Sequence, residues 1–137
     1  MYLRKINLYA GILLLLGFLA TGMYLKLIFK PEHLNDTTAR MEIRANHIYI
    51  LFVSLLNILS FTIQPGTGRR ILKRLEIFTR ILLLTAGGLS LGAFFLEHSG
   101  TLQGRLLTFL CVLSSLAGVL LLQSANLLSA RLETRRD

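Results

Sequence analysis

Four long apolar segments, separated by clusters of charged residues, constrain the fold of this chain more than any other feature. They cover residues 6–28, 47–63, 77–96 and 106–128. Their lengths are close to the roughly 20 residues that a helix needs to cross about 30 Å of hydrocarbon. Because lipid offers the backbone no hydrogen-bond partners, each segment must pair its own polar groups, and a helix does so. The first segment is longer than the usual core of a signal peptide, so we expect it to be retained as a helix.

Composition agrees with this interpretation. Of the 137 residues, 53% are hydrophobic, and the mean hydropathy of +0.62 is too high for a soluble domain. We therefore predict an all-α fold, an integral membrane four-helix bundle that forms one domain over residues 1–137. The helices are predicted over about 6–28, 37–63, 70–97 and 105–130, and the expected location is a bacterial inner (plasma) membrane.

The distribution of the basic residues predicts how the bundle is oriented. The net charge is +8, and ten basic residues fall in three regions that share one side of a four-helix protein: Arg4, Lys5, Arg69, Arg70, Lys73, Arg74, Arg80, Arg131, Arg135 and Arg136. By the positive-inside rule, the N and C termini are both cytoplasmic and the helices run up-down-up-down. The excess charge is explained by topology and by attraction to anionic lipids at the cytoplasmic face, so we do not expect nucleic acid to bind.

Turn and cap residues indicate where the helices begin and end. Pro31 should end the first helix, since it lacks a backbone donor. Asn35 or Asp36 should cap the second, starting near Thr37. The Pro/Gly-rich residues 64–68 predict a tight turn after it. Residues 69–80 form a basic ramp, interpreted as solvated and lipid-facing, with a docking site for a cytoplasmic partner as the alternative. Within it, Glu76 and Arg80 form an i, i+4 pair.

Small residues indicate how the helices pack. Gly88 and Gly92 lie four residues apart in the third helix, and Ser114 and Gly118 have the same spacing in the fourth. Small residues at this spacing let helix backbones approach closely. The two faces could meet within one chain or across a dimer, so the expected partners are a second copy of the chain or other membrane subunits, besides the lipid bilayer itself.

A polar stripe on the second helix is the candidate site. Arg44, His47, Ser54 and Asn57 share one face, and polar stripes inside membranes usually face the bundle interior. We expect His47 to point toward the third and fourth helices. Ser54 and Asn57 should act as interhelical hydrogen-bonding groups. At the same outer end, the predicted topology adds Glu97, His98 and Arg105, for which we predict a Glu97–Arg105 ion pair.

Three roles remain open for His47. The first is a structural hydrogen bond. The second is ligation of haem b or a metal with His98 as the second ligand, or of a copper ion with Cys111 and Met41, since imidazole is a common ligand. The third is pH sensing or anion binding together with Arg44. The sequence contains neither the H-E-x-x-H motif nor a phosphate loop.

Two functions follow as predictions. The first is a small non-enzymatic membrane protein that acts by helix packing, as an oligomer or an accessory subunit of a membrane complex. The alternative is a haem- or metal-binding protein for electron transfer or sensing that uses His47 near the outer face.

Overall fold

Four helices make up the part of the chain that the computed structural model describes, residues 2–33, 35–63, 70–97 and 104–134, with the side chains of residues 132 and 133 left out. Helix α1 runs over Tyr2–Glu32, α2 over Thr37–Ser60, α3 over Arg70–Leu96 and α4 over Leu106–Thr134. All four are long and apolar enough to cross a membrane. The predicted all-helical class is confirmed. The predicted turn at residues 64–68 lies outside the described residues.

Helix α1 contains a widened turn directly before its proline. Residues Leu25–Phe29 form a π-helical segment, in which the Lys30 N–H bonds to the Leu25 carbonyl. The helix then continues through Pro31 to Glu32, slightly beyond the predicted end. A proline ring clashes with a carbonyl of the preceding turn in a regular α-helix, and a π-turn changes the spacing of those carbonyls.

Helix α2 begins at Thr37 behind an Asp36 cap, as the local sequence predicted. The Asp36 carboxylate accepts the Ala39 N–H at 2.9 Å, which satisfies one of the unpaired donors of the first turn. The helix ends at Ser60 rather than at residue 63. Beyond that point the Phe61 N–H bonds to the carbonyls of Ile58 and Leu59, which tightens the last turn.

The hydrogen bonds between α1 and α2 show that these helices run in opposite directions. Asn7 donates to Asn57, whereas Thr21 lies beside His47 further along α1. Their backbones are in close contact at Gly11, where a Cβ would lie only 2.9 Å from the Ser54 carbonyl oxygen. The Ser54 hydroxyl donates to the Gly11 carbonyl at 2.8 Å, so glycine is required for this contact.

The remaining interfaces also place small residues beside large apolar ones. Gly87 of α3 faces Leu14 of α1, and Gly118 of α4 faces Leu83 of α3. Leu14, Ile50, Val53, Ala86, Phe94 and Cys111 are among the residues of the central cluster. Large apolar side chains are exposed on every helix, for example Leu13, Ile48, Phe95 and Leu120. Exposed leucines of this density are expected where lipid is the solvent.

Candidate functional site

His47 faces α1, not α3 and α4 as predicted. Its Nδ1 lies 2.9 Å from the Thr21 hydroxyl oxygen, and its ring stacks on Phe18 with a centroid separation of 4.1 Å. Gly22 makes room for the ring, since a Cβ there would lie 3.3 Å from His47 Cε1. From α3, the Phe94 ring also approaches His47: the two ring centroids are 6.5 Å apart, and the ring planes are tilted. The prediction was wrong by one helical position, because residue 46 is the one that faces α3.

Asn46 is the residue that joins α2 to both α3 and α4, and the sequence analysis missed it. Its side chain is fully buried. Its Nδ2 donates to the carbonyls of Ala93 and Glu97, both at 2.9 Å. Its Oδ1 accepts from the guanidinium of Arg105 and lies 3.1 Å from the Thr108 hydroxyl oxygen. We call Asn46, Glu97, Arg105 and Thr108 the Asn46 cluster.

Glu97 caps the N-terminus of α4 in this cluster. Its carboxylate accepts the N–H groups of Leu107 and Thr108, the latter at 3.0 Å, and the Thr108 hydroxyl at 2.6 Å. The positive end of the helix dipole and two backbone donors therefore stabilise its charge. A carboxylate at the end of a helix is unfavourable next to the negative end of the dipole, but Glu97 gains from the start of the next helix.

The predicted Glu97–Arg105 ion pair does not form between these two described residues. The Arg105 guanidinium donates to Asn46, while the Glu97 carboxylate is occupied by the first turn of α4. Both side chains still meet in one cluster, because Asn46 and Thr108 lie between them. Arg44 is exposed and belongs to a different surface. His98 lies outside the described residues.

Arg80 is the centre of a second polar cluster, at the other end of α2. It had been predicted on a solvated, lipid-facing ramp, yet its side chain is 1% exposed. Its Nε donates to Glu76 Oε1 at 2.9 Å, which confirms the i, i+4 pair. Its two terminal nitrogens donate to the carbonyls of Ser60 at 3.1 Å and Ile63 at 3.0 Å. A cation therefore satisfies the carbonyls at the negative end of α2.

Two asparagines extend this cluster into the interior. Asn57 donates to the carbonyls of Val53 and Leu83, both at 3.0 Å. Asn7, which the sequence analysis overlooked, donates to Asn57 Oδ1 at 2.9 Å and to the Arg80 carbonyl at 3.2 Å. Both side chains are fully buried. We call Asn7, Asn57, Ser60, Glu76 and Arg80 the Arg80 cluster. The signal for Asn7 was that it is the one amide side chain of α1.

The two predicted small-residue faces do not meet within the described chain. A Cβ at Gly88 would have no described atom within 4 Å, and one at Gly92 would contact Leu107 at 3.5 Å. Gly118 packs instead against Leu83, where a Cβ would lie 3.0 Å from Cδ2. Ser114 is half-buried. Gly88 therefore points away from the described bundle.

The groups proposed as metal ligands are dispersed. Cys111 is buried and its thiol lies 3.5 Å from the Ala86 carbonyl, whereas Met41 is 67% exposed. Among the described residues, no three of His, Cys, Asp or Glu are grouped so that they could hold a metal. Comparison with known proteins gives no match: no protein-family model, no curated protein and no solved structure is similar to this chain.

Proposed function

We propose that this chain is a non-enzymatic integral protein of the plasma membrane that acts through helix packing, as a homo-oligomer or as an accessory subunit. Its helices would cross the membrane up-down-up-down with both termini in the cytoplasm. The four apolar helices support the membrane location, and the basic residues near the termini support the orientation.

The main support for the proposal is that the buried polar side chains form hydrogen bonds between helices. Asn46, Asn57 and Ser54 each bond to a neighbouring helix, and Arg80 bonds to the end of α2. These groups fix how the helices pack and leave their donors engaged within the chain. Interhelical hydrogen bonds of this kind make a defined scaffold, and such a scaffold presents its outer surface rather than an interior reaction site.

The outward face of α3 at Gly88 is the surface we assign to assembly. Gly88 has open space around it, and its neighbours on that side include the exposed Ile81, Thr85 and Phe95. Inside a membrane, helices associate where small residues let their backbones approach. A second helix could pack here without displacing any side chain at Gly88.

Cysteine cross-linking in native membranes tests this assignment. The background variant is Cys111→Ser, because Cys111 is the chain's one cysteine. Gly88→Cys should then cross-link to a second copy or to another subunit. The matched control is Leu16→Cys on α1, at a 58% exposed position near the same depth. Cross-linking of both variants to the same extent, or of neither, would count against assembly through α3.

The haem or metal alternative is not the function that the geometry supports best. The described aromatic and hydroxyl groups around His47 belong to Phe18, Phe94 and Thr21. None of these three residues carries an imidazole, thiolate or carboxylate that could serve as a second ligand to haem or a metal. The visible spectrum of protein expressed with ample haem should therefore lack a Soret band. A Soret band that disappears in His47→Ala would reverse the choice.

A further inference from the structure

A groove between the end of α1 and the start of α2 is lined by cations from both helices. It has a volume of about 260 Å³. Lys26 and Lys30 come from α1, and Arg40 and Arg44 from α2, while His47 and Gly22 lie at its inner end. No described carboxylate lines the groove. We call these residues the basic groove.

The positions of Lys26, Lys30 and Arg44 are unfavourable unless an anion is present. Lys26 and Lys30 are four residues apart on one helix, and Arg40 and Arg44 are four apart on the other. Like charges at this spacing repel, and Arg40 also lies near the positive N-terminal end of α2. In the described part of the chain, no carboxylate forms an ion pair with Lys26, Lys30 or Arg44.

The two acidic residues of the connection between α1 and α2 are directed elsewhere, and Glu42 of α2 is buried. Glu32 and Asp36 line a separate cavity in the connection between α1 and α2. The Asp36 carboxylate is engaged by the Ala39 N–H. Two facing rows of cations are therefore held together by the packing of α1 on α2, with His47 beside Thr21 fixing the inner end of the groove.

The π-helical segment is a second, independent feature of this groove. Leu25, Lys26 and Phe29 lie within it, and Lys30 follows it directly. Short π segments are rare and occur frequently at functional sites. The floor is apolar, with Phe29 and Ile43 only 3% and 2% exposed. The surface beside it is also apolar, since Leu27 and Ile28 are exposed on α1.

We propose that the basic groove binds a phosphate group, and that an anionic phospholipid headgroup supplies it. Phosphate oxygens would accept from Lys26 and Lys30 on one side and from Arg40 and Arg44 on the other. The exposed leucine and isoleucine next to the groove would contact the acyl chains. The lysine stems extend from apolar helix toward the headgroup region, as expected at a membrane boundary.

Native mass spectrometry of lipid adducts tests the proposal on the full chain. The probes are phosphatidylglycerol and phosphatidylcholine with identical acyl chains. The groove variant is Lys26→Gln/Lys30→Gln/Arg44→Gln. Its matched control, Arg70→Gln/Lys73→Gln/Arg74→Gln, removes three exposed cations from the start of α3. A separate arm measures whether inorganic phosphate alone raises the thermal stability of lipid-free protein.

The wild type and the control variant should prefer phosphatidylglycerol. The groove variant should bind it roughly fivefold more weakly for each cation removed, on the order of a hundredfold for three. An equal loss in the control variant, or no loss in either, would overturn the site. If inorganic phosphate stabilises the wild type but not the groove variant, and neither lipid is preferred, the proposal that a lipid headgroup supplies the phosphate would be overturned. Slow thiol labelling of the buried Cys111 checks that each variant is folded.

Discussion

Replacement of Arg80 by methionine should strongly destabilise the bundle. Arg80→Met removes the donors to the carbonyls of Ser60 and Ile63 and leaves the Glu76 carboxylate unpaired. A hydrogen bond to a charged group contributes about 1.5–3 kcal/mol, and breaking a buried pair costs about 3–5 kcal/mol. Glu76 is 26% exposed, so water would recover part of that loss. We expect a decrease of about 3 kcal/mol in the free energy of unfolding.

The chain contains its own reporter for this measurement. Cys111 is 1% exposed, so its thiol reacts with a labelling reagent when the bundle opens. The labelling rate would be followed as sodium dodecyl sulfate is added to protein in a mild detergent. A loss of about 3 kcal/mol corresponds to labelling about a hundredfold faster. Arg74→Met, which removes an exposed arginine from the same helix, should leave the rate nearly unchanged.

A double variant separates the ion pair from the carbonyl contacts. Glu76→Gln/Arg80→Met should recover only the part of the loss that comes from the unpaired carboxylate, because the carbonyls of α2 stay without their donor. The reasoning would be refuted if Arg80→Met changed the unfolding free energy by less than about 0.5 kcal/mol, the usual range for surface substitutions. It would also fail if Arg74→Met were equally destabilising.

Four further substitutions are tested by the same labelling assay. Gly11→Ala should cost about 1–3 kcal/mol, because its Cβ would lie 2.9 Å from backbone atoms of α2. Gly88→Ala, with open space, should be neutral or stabilise by up to about 1 kcal/mol; equal losses at both glycines would contradict the packing. Asn46→Leu should cost about 2 kcal/mol, because it removes the bonds to Ala93, Glu97 and Arg105 at about 0.6 kcal/mol each; wild-type stability would show that the Asn46 cluster is dispensable. Thr21→Val should cost about 0.6 kcal/mol by losing its contact with His47; a loss above 2 kcal/mol would indicate another role.

The helices could be predicted from the sequence because hydropathy over 20 residues is a strong signal. Cap chemistry also placed Asp36 and Thr37 correctly. The rotation of each helix about its axis was harder. His47 and Asn46 are adjacent, and a single position turns a helical side chain by about 100°, so the polar stripe alone did not show which residue faces α3.

The partners of the charged residues depended on tertiary contacts that the sequence does not encode locally. Arg80 has a near neighbour in Glu76, but its carbonyl acceptors lie at the end of α2. Glu97 was expected to pair with a cation and instead binds backbone N–H groups of α4. In both cases a helix terminus competes with a side chain for the same charge, and the geometry of the bundle determines which is closer.

The composition of particles extracted from native membranes tests the central claim most directly. Polymer-bounded nanodiscs would be prepared without detergent, and the polypeptides in each particle would be counted by native mass spectrometry. We predict particles that contain more than one copy of the chain, or one copy with a different membrane subunit, and a shift to single chains when Gly88 is replaced by isoleucine. Single wild-type chains with no accompanying polypeptide would contradict a function based on helix packing between subunits.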